Sequence, residues 1–138
     1  MRPVLDASVF VAAISPTERH HRDARQLFDS HPDTEPYLVP GLFRVEVLAA
    51  LARRGESAEL LDTVDALVLG PRFYVCPLDE ALLVRAGQVA RAARLRAYDA
   101  VYVALALERG VPLFTLDREV VLRCREVFPE FGVVAGAV

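Results

Sequence analysis

Four acidic residues interrupt apolar segments of this chain: Asp6, Glu46, Asp99 and Asp117. Asp6 and Asp117 each follow a short apolar run, whereas Glu46 and Asp99 interrupt patterns with the period of a helix. Carboxylates are almost never fully buried unless they are paired, hydrogen-bonded or bound to a metal. Mg²⁺ and Mn²⁺ prefer oxygen ligands and serve phosphate chemistry with few protein ligands. If the fold gathers the four acids, they predict a divalent-metal site that acts on phosphodiesters.

Each acid also has a structural explanation, and at the level of the residues these explanations stay open. Asp6 and Asp117 could cap the helices that follow them, at about 1 kcal/mol each. Asp99, near the start of an apolar helix, could be stabilised by the helix dipole. Glu46 has apolar neighbours three and four residues to either side, so we expect it to project from a buried stripe. Without a function, Glu46 would need a buried basic partner from another element.

Two hydroxyl residues lie close to these acids in sequence. Ser8 stands two residues after Asp6, and Thr115 stands two residues before Asp117. Either hydroxyl could donate a hydrogen bond to a ligand carboxylate and orient it. Equally, Ser8 fits an ordinary residue in the first turn of a helix, and Thr115 fits an ordinary strand residue.

Short apolar runs rich in β-formers alternate with segments of helical period, which is the pattern of a parallel sheet covered by helices. The predicted strands are residues 3–5, 37–39, 73–76, 113–116 and 131–134, and the predicted helices are residues 7–14, 19–30, 41–54, 56–69, 79–95, 98–109 and 118–125. We therefore expect an α/β fold with a central, mostly parallel sheet of about five strands. Ligands bind beyond the carboxyl ends of such strands, where Asp6 and Asp117 would share one edge.

Size and composition predict one folded domain over residues 1–138, because 54% hydrophobic and 25% charged residues are typical of ordered proteins. No apolar stretch approaches the roughly 20 residues that span a bilayer, and no signal peptide is recognisable, so we expect a cytoplasmic protein. Cys76 and Cys124 lack the spacing of a zinc or redox pair and are expected to be reduced, buried thiols. The net charge of −3 argues against an overall basic nucleic-acid binder, although the acidic site accounts for it.

The acids lie in stretches that match a known pattern: residues 4–8, 39–48, 96–106 and 112–117. In this order the stretches resemble the PIN-domain ribonucleases, and most closely the VapC-type toxins of bacterial toxin-antitoxin pairs. The resemblance implies a three-layer α/β/α PIN-like domain and an endoribonuclease dependent on Mg²⁺ or Mn²⁺, with Asp6, Glu46, Asp99 and Asp117 as its acidic site. It also implies an RNA substrate, a homodimer, and a small antitoxin protein whose C-terminal segment covers the active site.

Three arginines, Arg91, Arg94 and Arg96, precede the third acid. They could guide an RNA backbone toward it through phosphate contacts, whereas a solvated helix face is the plainer explanation.

Histidines and tyrosines are expected to play structural roles. His20, His21 and His31 lie in a polar region away from the acidic motifs, so we expect them at the surface, where His20 or His21 could still touch substrate or antitoxin. Tyr98 and Tyr102 are expected to be core or dimer contacts rather than platforms for stacked bases.

Other functions stay open beside the toxin. Haloacid-dehalogenase phosphatases are disfavoured because position 8 is Ser, which breaks their Asp-x-Asp arrangement, and receiver domains are disfavoured because the chain contains no Lys. A free-standing PIN nuclease of RNA processing and a PIN-like module that binds without catalysis are the remaining alternatives.

Overall fold

The computed structural model describes residues 2–135, and these residues form five strands and seven helices. The elements are β1 (Val4–Leu5), α1 (Ala7–Ile14), α2 (His21–Asp29), β2 (Tyr37–Pro40), α3 (Phe43–Arg53), α4 (Ala58–Val68), β3 (Phe73–Cys76), α5 (Glu80–Ala93), α6 (Ala97–Arg109), β4 (Leu113–Thr115), α7 (Arg118–Val127) and β5 (Val133–Ala135). Every predicted strand and helix is present, with bounds that differ from the predicted ones by no more than two residues. The predicted domain extent of residues 1–138 includes residues 1 and 136–138, which lie outside the described residues.

The strands form one parallel sheet in the order β3-β2-β1-β4-β5. Val4 of β1 pairs with Leu38 of β2 on one side and with Leu113 of β4 on the other. The chain therefore leaves β1 toward one edge of the sheet and later continues from β4 toward the opposite edge. The carboxyl ends of β1 and β4 form the topological switch point, the usual ligand-binding position in such sheets.

Helices cover both faces of the sheet, which confirms the predicted three-layer α/β/α fold. Helix α1 packs against α2 and α3, while α5 packs against α6 and α7. Helix α6 is buried continuously over residues 100–106 and contacts β1, β2 and β4. Its alanines allow it to lie close to the sheet, so its first turn is held near the ends of β1 and β4. None of the helices within residues 2–135 is long and apolar enough to cross a membrane.

Three less apolar side chains also lie in the interior. Cys76 and Cys124 are buried free thiols, as predicted. The predicted surface position of His31 is wrong, because the turn after α2 folds back and places its ring 4.8 Å from that of Tyr37 on β2. Burial lowers the pKa of His31. This contact depends on how a turn packs against a strand, so residue type alone did not indicate it.

Two glycines on neighbouring helices differ in backbone conformation. Gly110 ends α6 with φ 65°, whereas exposed Gly87 lies inside α5, and an added Cβ would meet no atom within 4 Å at either position. We expect Gly110→Ala to lower the free energy of unfolding by about 1 kcal/mol because left-handed backbone is strained for alanine. Gly87→Ala, the matched control, should raise it by about 0.5–1 kcal/mol. Urea unfolding curves of both variants check this, and equal effects would contradict it.

Candidate active site

Four carboxylates from four different elements line one pocket of about 450 Å³ at the switch point. Asp6 follows β1, and Asp117 is the N-cap of α7 just beyond β4. Glu46 and Asp99 stand in the first turns of α3 and α6. The fold thus brings together the four acids that the sequence singled out.

Asp6 is 8% exposed and is held by two hydroxyl groups. Its Oδ2 atom accepts hydrogen bonds from Ser8 Oγ at 2.8 Å and from Thr115 Oγ1 at 2.7 Å. The backbone N–H of Asp117 donates to the same Thr115 oxygen at 3.0 Å. Burial raises the pKa of Asp6, while these hydroxyl donors oppose the rise. No regular side-chain capping bond to α1 is present at Asp6, although the backbone N–H of Ser8 also opposes the rise in its pKa.

Glu46 lies at the border of the buried face of α3, between buried Phe43 and Val47, while Ala49 is exposed. The expectation that its four apolar neighbours define a buried stripe is therefore only partly met. Its structural partner is Tyr102 of α6, whose hydroxyl donates to Glu46 Oε1 at 2.7 Å, rather than a basic side chain. Burial, with help from nearby carboxylates, raises the pKa of Glu46 to about 7.

Asp99 and Asp117 share an exposed cation, Arg96. Burial raises the pKa of Asp99 to about 6, and the charges of Asp6 and Asp117 add to the rise. The guanidinium of Arg96 lies 3.6 Å from Asp99 Oδ2 and 3.6 Å from Asp117 Oδ2. Arg96 is 74% exposed, so these contacts offset little of the repulsion between the acids. Asp117 also accepts from the N–H groups of residues 119 and 120 and so does cap α7.

The three arginines singled out from the sequence do not share one position. Arg96 lines the pocket, but Arg91 and Arg94 do not belong to its lining. Arg94 ends α5 with φ 56°, and its carbonyl oxygen accepts a hydrogen bond from Arg123. Arg91 is exposed in the last turn of α5. Their contact with RNA stays a prediction.

The pocket also contains residues that sequence reasoning placed elsewhere. His20 lines it, although it lies away from the acidic motifs in sequence. The packing of α2 on α1 brings His20 there, and no sequence signal indicated this. Tyr102 lies in the core as predicted, whereas Tyr98 is exposed and lines the pocket. Glu18 and Arg54 also line the pocket, with the Arg54 guanidinium 3.0 Å from Glu18 Oε1, and the sequence did not indicate either residue.

The chemistry of the donor set fits a hard divalent cation. Carboxylate oxygens are the ligands that Mg²⁺ and Mn²⁺ favour, and a cation would oppose the rise in pKa that burial causes at Asp6, Glu46 and Asp99. As the side chains stand, no three His, Cys, Asp or Glu residues within residues 2–135 are arranged to enclose an ion. Metal binding here is therefore a proposal that rests on the donor chemistry.

The raised pKa of Asp99 predicts a stability cost at neutral pH. Because this pKa is about 6 in the folded protein against a usual value of 3.8, the folded state binds the proton more tightly between these values. Without metal, stability therefore falls as pH rises through that window. Asp99→Asn should raise the free energy of unfolding by about 1–3 kcal/mol near pH 7.5, measured by urea unfolding in chelator.

The matched control is Asp62→Asn, which changes an exposed carboxylate on α4 and should alter stability by less than about 0.5 kcal/mol. An Asp99→Asn variant no more stable than wild type near pH 7.5 would contradict the raised pKa of Asp99.

Known structures share this arrangement of strands and helices. VapC20 from Mycobacterium tuberculosis, a sarcin-ricin loop cleaving toxin, is 19% identical with a TM-score of 0.74, covering 86% of this chain and 92% of its own. A chain of a toxin-antitoxin complex from Klebsiella pneumoniae is 16% identical with a TM-score of 0.67, and the match covers 96% of this chain and 95% of that chain. A chain of VapBC2 from Rickettsia felis, bound to a DNA fragment from its promoter, is 10% identical with a TM-score of 0.66, and the match covers 99% of this chain and 99% of that chain. At these identities the likeness shows a common fold.

No curated protein matches the chain in sequence. The PIN domain, in contrast, matches residues 4–124, a range that contains all four acids and strands β1 to β4. The chain therefore belongs to the PIN domain family.

Proposed function

We propose that this protein is a divalent-metal-dependent endoribonuclease that hydrolyses RNA phosphodiester bonds. The observation that carries the proposal is the convergence of Asp6, Glu46, Asp99 and Asp117 from four elements on one pocket. Membership of the PIN domain family supports it, as does the fold shared with VapC20, a toxin that cleaves the sarcin-ricin loop.

The four carboxylates are the proposed ligands of Mg²⁺ or Mn²⁺. A bound ion would supply Lewis-acid activation of water and neutralise charge on the phosphodiester. Asp6 is the best-fixed ligand, because Ser8 and Thr115 both hold its Oδ2 atom. Orienting hydrogen bonds of this kind position ligand carboxylates in metal sites. Asp99 and Asp117 face it from the first turn of α6 and the N-cap of α7.

Glu46 differs from the other acids in its suitability for proton transfer. The burial that raises its pKa to about 7 in the metal-free protein makes its carboxylate a stronger proton acceptor than an exposed one. Tyr102 holds Oε1, so Oε2 is the atom proposed to receive the proton of the attacking water. Arg96, which reaches two acids at 3.6 Å, is proposed to turn toward a phosphate oxygen of the substrate, since guanidinium forks bind phosphate well.

The proposed cellular role is that of the toxin in a toxin-antitoxin pair, acting in the cytoplasm. Support comes from the shared fold with chains of toxin-antitoxin complexes. A cognate antitoxin protein and a second copy of this chain are the proposed partners. Co-expression with the product of an adjacent short reading frame, followed by purification of a stable complex, tests this role.

The catalytic proposal predicts that purified protein cleaves RNA in Mg²⁺ or Mn²⁺ and stops when chelator is added. Asp6→Asn should lower the cleavage rate by about 100-fold or more, because it removes a ligand charge and keeps the acceptor for Ser8 and Thr115. Gel assays of cleavage measure this, with exposed Asp62→Asn as the control that keeps full activity.

Full activity of Asp6→Asn, or cleavage that chelator leaves unchanged, would overturn the proposal. Folded wild-type protein that binds antitoxin tightly but cleaves no RNA would favour a module that only binds. A chromogenic phosphate monoester, which the protein should leave intact, tests the phosphatase alternative in the same assay.

A further inference from the structure

Tyr98 is a large aromatic side chain that stands exposed at the rim of the acidic pocket. It lies in the first turn of α6, next to Asp99, and 61% of its surface is accessible. Within residues 2–135 its side chain takes part in no hydrogen bond and no ring contact. The fold therefore does not account for an aromatic ring at this position.

Tyr102, one turn further along the same helix, shows the contrast. It is 1% exposed and its hydroxyl donates to Glu46 Oε1. Tyr102 thus positions a carboxylate from within the core, whereas Tyr98 presents its ring to whatever enters the pocket. An aromatic side chain carries 150–250 Å² or so of surface whose removal from water is favourable, so a ligand that covers the ring gains affinity.

The residues beside Tyr98 indicate the chemistry of that ligand. Arg96, two residues earlier, is 74% exposed and carries the charge and shape that bind a phosphate. Asp99, the next residue, belongs to the acids proposed to act on the phosphodiester. Tyr98, a phosphate-binding guanidinium and a carboxylate of the proposed catalytic site thus line the same pocket, which matches a nucleotide with its base on the ring and its phosphate beside Arg96 and the acids.

We propose that Tyr98 is a stacking platform for an unpaired nucleobase of the RNA substrate, adjacent to the bond that is cleaved. The proposal rests on the proposed function and adds the class of RNA that the site binds. A base held in a duplex cannot cover the ring, so the base must be unpaired. Stacking on aromatic side chains is the usual means of holding splayed bases of loops and single strands. The site thus selects single-stranded or looped RNA.

A fluorescence experiment tests this directly, because the chain contains no Trp. Tyr98→Trp introduces a single indole at the rim, and Glu46→Gln in the same protein prevents cleavage while keeping an acceptor for Tyr102. A short single-stranded RNA added with Mg²⁺ should quench this fluorescence in a saturable way, and the same RNA in a duplex should not. Tyr74→Trp in the same background is the matched control, since Tyr74 is 50% exposed on the edge strand β3, does not line the pocket and should show no quenching.

Kinetics of otherwise wild-type protein provide the second readout. Tyr98→Ala should raise KM about tenfold with little change in kcat, as loss of one stacked base predicts. Tyr98→Phe should stay near wild type, because the ring stacks without its hydroxyl. An RNA with one abasic nucleotide beside the cleaved bond should remove the difference between wild type and Tyr98→Ala. A merely structural role would instead lower thermal stability in both variants.

The outcomes separate the stacking site from the nuclease. Cleavage without quenching, and with Tyr98→Ala equal to wild type, overturns the stacking site and leaves the nuclease intact. Quenching by RNA in a protein whose wild type cleaves nothing supports the stacking site and overturns the nuclease. Quenching by an antitoxin protein but by no RNA overturns the stacking site and assigns the ring to a protein partner.

Discussion

Carboxylates buried together in one pocket resist ionisation, and the cost of burying this negative charge is the constraint on which the rest of the structure depends. The pKa of Asp6 is raised, and those of Glu46 and Asp99 reach about 7 and about 6, each chiefly through burial. Such a group lowers the stability of the fold at neutral pH unless hydrogen bonds or a cation compensate. This stability cost at neutral pH supports the proposal that a cation binds at the site.

A small number of neutral hydrogen-bond donors and the order of the strands together stabilise the buried acids. Hydroxyls of Ser8, Thr115 and Tyr102 satisfy Asp6 and Glu46 without neutralising their charge, so both remain able to bind a cation. Asp99 and Asp117 stand at the N-terminal ends of helices, where the helix dipole favours negative charge. The strand order places these groups at one switch point, at the carboxyl ends of strands whose own side chains lie in the apolar core.

Much of this arrangement was predictable from the sequence, because it rests on local patterns. Short apolar runs and helical periods predicted every strand and helix, and the ends of β1 and β4 predicted that Asp6 and Asp117 would meet. Contacts between distant residues were not predictable in the same way. The partner of Glu46 lies 56 residues away and is a tyrosine instead of the expected basic residue. The inward turn that buries His31 and the exposure of Tyr98 likewise depend on how helices, strands and turns pack against one another.

The most direct test of the central claim is the titration of the Glu46 and Asp99 carboxyl groups by carbon-detected NMR, with and without Mg²⁺. Without the ion, we expect Glu46 to titrate with a pKa of about 7 and Asp99 with a pKa of about 6. With saturating Mg²⁺, both pKa values should fall, because the cation stabilises the ionised forms. Titrations that Mg²⁺ leaves unchanged would contradict a metal-binding carboxylate site.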